Sequence, residues 1–319
     1  MEGLNDKAVE LVLRSMLLAA GIAVGAIGTI GVPVPGHAQD RQTGTQADKK
    51  PDQDKKEKDN IAGPYVPTPW VIVDEMLKLG DVVANDVVYD LGSGDGRLVI
   101  SAARRFGARG VGIELQGDLV EMAAIGAKHE KLADKVKFIQ GDLFETDFSE
   151  ASVVMLYLLP RFVTRLVPKL RAELKAGSRI VSHDYPLAPW PPDKTLIFDV
   201  EEKEQISGSV RTTLYYYVVP AKLGGTWQVS LPKELAGTPL SMEISQEPDR
   251  LNGVVRAGRE TLPLRDPLLR ADQFRFGLLY RGRLLSLTGM VSGERMSGEV
   301  VAGSVRDRWS ARLLRPAAN

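Results

Sequence analysis

The stretch VVYDLGSGDG, residues 87–96, decides the fold of this chain. It is a short apolar strand followed at once by a glycine-rich turn, and residues 97–106 after it have helical periodicity. Glycines at such a turn let the backbone bend tightly and let a ligand approach it closely. A unit of strand, glycine turn and helix is typical of sheets that bind a ligand at the carboxyl ends of their strands.

Strands and helices alternate through the residues that follow the turn. Five strands are predicted, over residues 87–91, 110–114, 136–139, 152–158 and 179–183. Helices are predicted over residues 97–106, 118–132 and 160–175, and an earlier one lies within the segment 64–80, with Thr68 as its cap, Pro69 in its first turn and Gly80 as its stop. Two last strands, over 196–201 and 212–219, are expected to close the sheet as an antiparallel pair with no helix between them. The predicted fold class is α/β, a doubly wound seven-stranded sheet in a domain of residues 61–220.

The glycine turn does not match two common phosphate-binding motifs. The dinucleotide fingerprint needs Gly-x-Gly-x-x-Gly, but the third glycine here comes one position early, at Gly96. A Walker loop ends in Gly-Lys-Ser/Thr, and that ending is absent. Asp90 precedes the turn, and its carboxylate would repel a phosphate. The turn therefore favours a ligand with cationic groups, such as the sulfonium and ammonium of S-adenosylmethionine.

Two further carboxylates follow neighbouring strands of the predicted sheet. Glu114 ends the second strand, where an acidic side chain can accept both hydroxyls of a ribose. Asp142 follows the third strand, where it can accept a hydrogen bond from an adenine amino group. Because parallel strands end at one edge of a sheet, we expect Asp90, Glu114 and Asp142 to surround one ligand.

These motifs resemble those of class I S-adenosylmethionine-dependent methyltransferases. The resemblance rests on the turn at residues 90–96, on Gly112-Ile113-Glu114 and on Gly141-Asp142-Leu143. It implies a Rossmann-like methyltransferase sheet with S-adenosyl-L-methionine as the cofactor. The residues that it places around the cofactor are Thr68, Asp90, Gly92, Ser93, Gly94, Gly96, Glu114, Leu115, Asp142 and Leu143.

A closer resemblance is to the small seven-strand protein-lysine methyltransferases of archaea and mitochondria. It is carried by Pro64-Tyr65-Val66-Pro67-Thr68-Pro69, by Tyr157-Leu158 and by Val181-Ser182-His183-Asp184, and it covers about two-fifths of the chain. It implies that a protein is the partner and that its lysine side chains are N-methylated. Two alternatives stay open: methylation of a small molecule or a lipid, and a non-catalytic module that binds S-adenosylmethionine.

Three residues are candidates for the transfer step. Tyr65 lies on the segment expected to fold over the cofactor, and Tyr157 follows the fourth strand, where an aromatic face can hold an ammonium or sulfonium. Asp184 ends the fifth strand beside His183, where it either polarises a substrate or forms a structural pair. The side-chain amide that accompanies nucleobase and glutamine substrates is missing beside Tyr157, where the chain reads Tyr-Leu-Leu-Pro.

Composition narrows the chemistry further. The chain has no Cys, so thiol nucleophiles, zinc knuckles and iron–sulfur clusters are excluded. It has only three scattered His, so we expect no metal. Lys and Arg total 41, and so do Asp and Glu, so no net charge draws the chain to nucleic acid. Catalysis must therefore use carboxylates, hydroxyls, backbone groups or a bound cofactor.

The N-terminal residues predict targeting rather than catalysis. Residues 15–39 contain no charged side chain, and Gly36-His37-Ala38 has the small residues of a signal-peptide cleavage site. We expect residues 1–38 to be a signal peptide cleaved after Ala38 or an uncleaved membrane anchor, with a buried core helix as a third reading. The chain would then be exported, or anchored with its catalytic domain facing the cytoplasm. Residues 39–60 interleave six acids with six bases and are predicted to be a disordered linker.

The last hundred residues have a different pattern. Eight short strands of period two predict a small antiparallel barrel or sandwich over residues 221–319. From residue 250 onward there are thirteen Arg, no Lys and six acids. This local excess of positive charge is either a solvated surface or a surface for an anionic partner such as lipid headgroups.

Overall fold

The part of the protein that the structure describes contains two β-sheets, each packed against its own buried apolar side chains. The computed structural model describes residues 65–247 and 250–317. The predicted targeting segment 1–38 and the predicted linker 39–60 lie outside the described residues. None of the helices in the described part of the chain has the length and apolar character needed to cross a bilayer.

The first sheet has seven strands, with five helices in the same part of the chain. Its strands are β1 Val87–Leu91, β2 Arg109–Glu114, β3 Val136–Gln140, β4 Val153–Leu156, β5 Arg179–His183, β6 Lys194–Asp199 and β7 Arg211–Val218. Its helices are α1 Trp70–Leu79, α2 Arg97–Phe106, α3 Gly117–His129, α4 Pro160–Glu173 and α5 Glu201–Ser207.

The strand order confirms the predicted fold class. The strands lie in the order β3-β2-β1-β4-β5-β7-β6, and β1 to β5 are parallel while β7 runs antiparallel to both β5 and β6. The order reverses between β1 and β4, and ligands of open α/β sheets bind at such a point, beyond the carboxyl ends of the strands. Asp90 pairs with Gly112 and Glu114 with Gln140, so both acids lie at this edge.

Alternating side chains of the strands build a core on each face of this sheet. On one face Tyr89 and Leu156 pack in a cluster with Phe162 and Leu166 of α4. On the other face Val88 belongs to a cluster that includes residues of α1 and α2. Because both faces are covered, the central strands β1, β4 and β5 are buried along almost their whole length, and Asp90 is a polar residue near the carboxyl end of β1.

Two local expectations were wrong. Thr68 does not cap α1, because the helix begins after Pro69 without a side-chain cap, and Thr68 is buried instead. A helix, α5, also lies between β6 and β7, where none was predicted. Its seven residues are too short for a periodic signal, and three glutamates in its first turn favour helix formation through the helix dipole.

The second sheet has nine antiparallel strands. They are β8 Gly225–Ser230, β9 Leu240–Glu247, β10 Arg250–Ala257, β11 Glu260–Pro263, β12 Arg265–Arg270, β13 Gln273–Tyr280, β14 Arg283–Ser292, β15 Arg295–Ala302 and β16 Val305–Pro316. Strand β12 was missed, because Pro267 argues against a strand and the pairing shifts register between Arg265 and Leu268.

The order of these strands gives a nearly closed barrel, one of the two predicted forms. The order is β11-β10-β9-β8-β16-β15-β14-β13-β12, so every neighbour except β8 and β16 is consecutive along the chain. Its two ends, β11 and β12, are separated only by Leu264, whose N–H donates to the carbonyl of Gly253 at 2.9 Å. The interior is filled by buried side chains, among them Trp227, Phe274 and Trp309.

A chain shortened to residues 61–220 is predicted to fold without the barrel. The two clusters of the first sheet lie before residue 220 and the barrel cluster begins at Ala221, so truncation at Pro220 divides no core. We expect cooperative thermal unfolding of the shortened chain by circular dichroism. A chain that is unfolded at room temperature, under conditions where the full chain is folded, would show that the barrel is needed for the first sheet to fold.

Candidate functional site

A cavity of about 520 Å³ opens at the carboxyl edge of the first sheet. It is lined by Asp90 from β1, Glu114 from β2 and Asp142 from the segment after β3, so the three predicted acids do converge. Its lining also includes predicted residues from the loop and the flanking segments, namely Thr68, Gly92, Ser93, Gly94, Leu115 and Leu143. The parallel register of the strands is what brings these distant positions together.

The glycine turn lines the cavity with backbone. Gly94 has φ +53°, and a Cβ atom there would lie 2.5 Å from the ring of Tyr65, so a larger residue fits neither the conformation nor the space. The N–H of Gly94 donates to Glu114 Oε2 at 2.9 Å, which ties the turn to the end of β2. Gly96, predicted as a cofactor contact, does not line the cavity, and its position is packed against Phe138 instead.

Asp90 is an acid of the site whose ionisation is opposed by burial and by nearby negative charge. Its carboxyl group is buried, and burial raises its pKa well above the usual range, with the nearby Glu114 and Asp95 adding to the rise. A carboxylate is costly to bury unless a positive charge or hydrogen-bond donors compensate it. A cationic ligand beside Asp90 would remove this cost.

The other two acids are held in place by backbone donors. Glu114 accepts from Gly94 through one oxygen and from the N–H of Gln116 through the other, at 3.0 Å. Asp142 accepts from the N–H of Phe144 at 2.8 Å. Since each carboxylate oxygen can accept more than one hydrogen bond, both side chains keep acceptor capacity towards the cavity.

The segment before α1 is fastened to the turn by an arginine that sequence reasoning did not select. Arg97 forms a 2.7 Å ion pair with Asp95, donates to the carbonyl of Thr68 at 2.8 Å and lies over the ring of Trp70. Tyr65 lies against the turn, and burial together with Asp95 raises its pKa to about 12. The contacts of Arg97 with Thr68 and Trp70 join parts of the chain that are distant in sequence. The sequence therefore carries no local signal for them beyond the unusual Arg after the turn.

Tyr157 forms part of the cavity wall. Its ring stacks on His183, with centroids 4.0 Å apart. Burial, with a contribution from Asp184, raises the pKa of Tyr157 to about 12, so its hydroxyl stays protonated near neutral pH. Burial also lowers the pKa of His183 to about 4, so the imidazole beneath the tyrosine is neutral.

Asp184, predicted as a catalytic residue, lies outside the cavity lining. It forms an ion pair with the buried Lys203 of α5 at 2.7 Å and accepts from the N–H of Thr213. The structural pair left open by the sequence is therefore present: Asp184 Oδ2 lies 3.6 Å from His183 Nε2, and the charged partner at hydrogen-bond distance is Lys203. This pair fixes α5 to the end of β5, and α5 in turn supplies Ile206 and Ser207 to the cavity lining. Because no helix was predicted between β6 and β7, the sequence offered no reason to place Ile206 and Ser207 in the site.

The chemistry of the lining fits S-adenosylmethionine. Asp90 offers a buried carboxylate to a cation, and Ser93 adds a buried hydroxyl that has no hydrogen-bond partner within the described residues. Glu114 and Asp142 supply further acceptors where the ribose and adenine of a nucleoside would lie. No group of three or more His, Asp or Glu side chains in the described part of the chain is arranged to hold a metal ion.

Known proteins resemble this chain chiefly over the first sheet. A family model described as the ANTKMT methyltransferase domain matches residues 90–194. A protein-lysine N-methyltransferase from Saccharolobus islandicus is 38% identical over 157 residues, which are 49% of this chain and 93% of that relative. The adenine nucleotide translocase lysine N-methyltransferase of Mus musculus is 38% identical over 33% of this chain and 46% of its own length. A crystal structure of an RNA methyltransferase from Salinibacter ruber, in complex with S-adenosyl-L-homocysteine, is 51% identical over 50% of this chain and 96% of its own, with a TM-score of 0.45.

Replacing Asp90 with Asn is predicted to weaken ligand binding and to stabilise the ligand-free protein. Loss of a hydrogen-bonded charge lowers affinity for S-adenosylmethionine by about 1.5–3 kcal/mol, roughly 10- to 150-fold. Because the carboxyl pKa is raised by folding, wild-type stability falls as pH rises through that pKa, and the Asn variant escapes this loss. Calorimetric titration and thermal unfolding at acidic and mildly alkaline pH measure the two effects.

The matched control is Asp134→Asn, which removes an exposed carboxylate far along the chain from the turn. It should leave both affinity and melting temperature unchanged. Equal affinity of the Asp90→Asn variant and the wild type would contradict the assignment of Asp90 to a cation.

Proposed function

The chain belongs to the family of S-adenosylmethionine-dependent protein-lysine N-methyltransferases, and on that premise we propose how its cavity binds cofactor and substrate. One observation carries the proposal: a single cavity is lined both by the buried Asp90 and Glu114 and by Tyr157, Tyr185 and Ile206. Acidic and aromatic side chains around one cavity suit a cationic cofactor beside the amine of a substrate.

In the proposed complex each acid has one task. Asp90 pairs with the ammonium of the cofactor's amino-acid part. This positive charge stabilises the carboxylate, which burial has removed from water. Glu114 accepts from the two ribose hydroxyls, because its oxygens are already aimed by Gly94 and Gln116. Asp142 accepts from the adenine amino group, and Leu115 and Leu143 pack beside the ring system.

Transfer then depends mainly on alignment. When bound, S-adenosylmethionine supplies a methyl group on a positive sulfonium that leaves as a neutral thioether. The protein's part is to hold the lysine Nζ lone pair in line with that methyl and to exclude water. Tyr157 and Tyr65 are proposed to present ring faces and hydroxyl oxygens to the reacting amine and the sulfonium, since aromatic faces attract such cations.

A substrate lysine must lose its proton before it can attack. Its ordinary pKa is about 10.4, and leaving water for an apolar cavity lowers it. Tyr157 does not act as the base near neutral pH, because its own pKa is raised to about 12 and its hydroxyl keeps its proton. We therefore expect the proton to leave for solvent as the amine enters the cavity.

Targeting belongs to the same proposal. The charge-free N-terminal stretch supports placement of the enzyme at a membrane, either exported after cleavage near Ala38 or held by an anchor. The cofactor is made in the cytoplasm, which favours an anchor that leaves the catalytic domain inside. The domain boundaries at residues 38, 60 and 220 are part of this proposal.

The substrate class is tested with methyl-labelled S-adenosylmethionine and a cell extract. We predict that label enters protein and that hydrolysis of the protein releases labelled methyl-lysine, because two of the relatives described above are named lysine N-methyltransferases. Between pH 6 and 8 the rate should rise with pH as more substrate amine is deprotonated. The Asp90→Asn enzyme is the control for background. Label confined to RNA, to lipid or to small molecules would contradict the proposal.

Exposed acids on α5 are predicted to favour basic substrates. Glu201, Glu202 and Glu204 are exposed on the helix whose last residues, Ile206 and Ser207, line the cavity. Changing all three to Gln should raise KM for a lysine-rich peptide by roughly 3- to 10-fold at low salt and leave kcat unchanged, and salt should shrink the difference.

A triple variant with the same change in net charge is the control for α5. Glu121→Gln, Asp134→Asn and Glu260→Gln alter exposed acids outside α5 and should leave KM near the wild-type value. An equal rise in KM for both triple variants would show that only net charge matters and that α5 has no special role.

A further inference from the structure

The outer face of the barrel carries four exposed apolar side chains on three adjacent strands. Leu268 of β12, Leu279 of β13, and Leu284 and Met290 of β14 are 51%, 44%, 58% and 53% exposed. The side chains that alternate with them, such as Phe276, Leu278 and Leu285, fill the interior. These four therefore point outward by register, and they do not belong to the barrel core.

The pairing of the strands places these side chains on one continuous surface. Leu279 lies directly opposite Leu284, Leu268 lies opposite Arg275, and Met290 lies opposite Gln273. Directly opposed residues of an antiparallel pair have Cβ atoms only about 5 Å apart. We call this surface, formed by the outward side chains of β12, β13 and β14 with their connecting turns, the β12–β14 face.

The same face is rich in arginine and poor in acids. It carries Arg265, Arg270 and Arg275 on its strands and Arg281 in the turn between β13 and β14, whereas residues 265–290 include only two acids, Asp266 and Asp272, and no Lys. Within the described residues none of these four guanidinium groups forms an ion pair, while on other strands of the barrel Arg256 pairs with Glu243 and Arg306 with Glu299. The four charges are therefore available to an external anion.

We propose that the β12–β14 face docks on the surface of an anionic phospholipid bilayer. Guanidinium groups form paired hydrogen bonds with phosphate oxygens, which suits lipid headgroups. Leucine and methionine side chains among them can insert at the boundary between headgroups and acyl chains. A bilayer is a partner that supplies dense phosphate and an apolar layer on one surface.

Two other anionic partners fit these observations less well. Nucleic acid would use the arginines, but four exposed aliphatic side chains would gain little from phosphates and base edges. An acidic protein would need a complementary mixture of acids and apolar pockets. The charge-free residues 15–39 are independently predicted to bring this chain to a membrane, so a bilayer is also the surface that the barrel would meet most often.

Docking of the barrel is independent of methyl transfer, so its test uses no substrate. The chain contains no Cys, so one engineered Cys accepts an environment-sensitive fluorophore at a single place. Full-length Leu284→Cys reports on the β12–β14 face, and full-length Ser245→Cys, exposed on β9, is the matched control. Vesicles of phosphatidylcholine with phosphatidylglycerol are compared with vesicles of phosphatidylcholine alone.

We expect a blue shift at position 284 and none at 245, only with phosphatidylglycerol, and a loss of the shift at high salt. Arg265→Gln, Arg270→Gln and Arg275→Gln together should weaken the partitioning measured by this shift by roughly 100-fold. The equal charge change in Arg295→Gln, Arg308→Gln and Arg312→Gln, on β15 and β16, should weaken it much less.

Three results would overturn the proposal. One is the absence of a shift at 284 with anionic vesicles, and a second is an equal shift at 284 and 245, which would mean that the chain binds lipid in no particular orientation. The third is a shift at 284 caused by soluble polyglutamate and not by vesicles, which would assign the β12–β14 face to an acidic protein instead.

Discussion

The site depends on two carboxylates buried at the ends of adjacent parallel strands. Asp90 and Glu114 lie at the same edge of the sheet, and the charge of Glu114 adds to the cost of ionising Asp90 where water is scarce. Glu114 is stabilised by two backbone N–H groups, while burial raises the pKa of Asp90 well above its usual range. Ionising Asp90 therefore costs free energy in the folded protein, and a cationic ligand removes that cost. This selects S-adenosylmethionine over phosphate-rich nucleotides.

The rest of the site surrounds that pair of acids. Arg97 joins the segment of Tyr65 and Thr68 to the glycine turn, and the Asp184–Lys203 pair fixes α5, which adds Ile206 and Ser207 to the cavity lining. Neither ion pair touches the proposed methyl group, yet each positions a part of the cavity lining. The geometry explains how a chain without Cys, and with its buried His neutral, can catalyse a group transfer: the protein supplies charge complementarity, alignment and a water-poor cavity.

Much of the fold and the cofactor side of the site followed from the sequence, because both depend on local rules. Period-two strands, helical periodicity and glycine turns place Asp90, Glu114 and Asp142 at strand ends, and parallel strands end together. Residues whose role depends on a tertiary partner could not be found in this way. Lys203 is an unremarkable lysine until α5 folds against Asp184, and Arg97 differs from other arginines only through Asp95 and the Thr68 carbonyl. Strand β12 was missed for a similar reason, since Pro267 disfavours a strand locally but the barrel pairs it with β13.

The central claim is that the carboxylate of Asp90 compensates a positive charge of the cofactor, so that binding releases a proton at any pH where the carboxyl of the free protein is protonated. Calorimetric titration with S-adenosylmethionine, at a series of pH values from acidic to mildly alkaline and in buffers of different ionisation enthalpy, counts the protons released on binding. The account predicts a measurable release by the wild-type protein and a smaller one by the Asp90→Asn variant, with the difference largest where the carboxyl of the free protein is mostly protonated. Equal proton release by wild type and variant across the pH range would contradict it, because the buried carboxyl would then have no part in selecting the ligand.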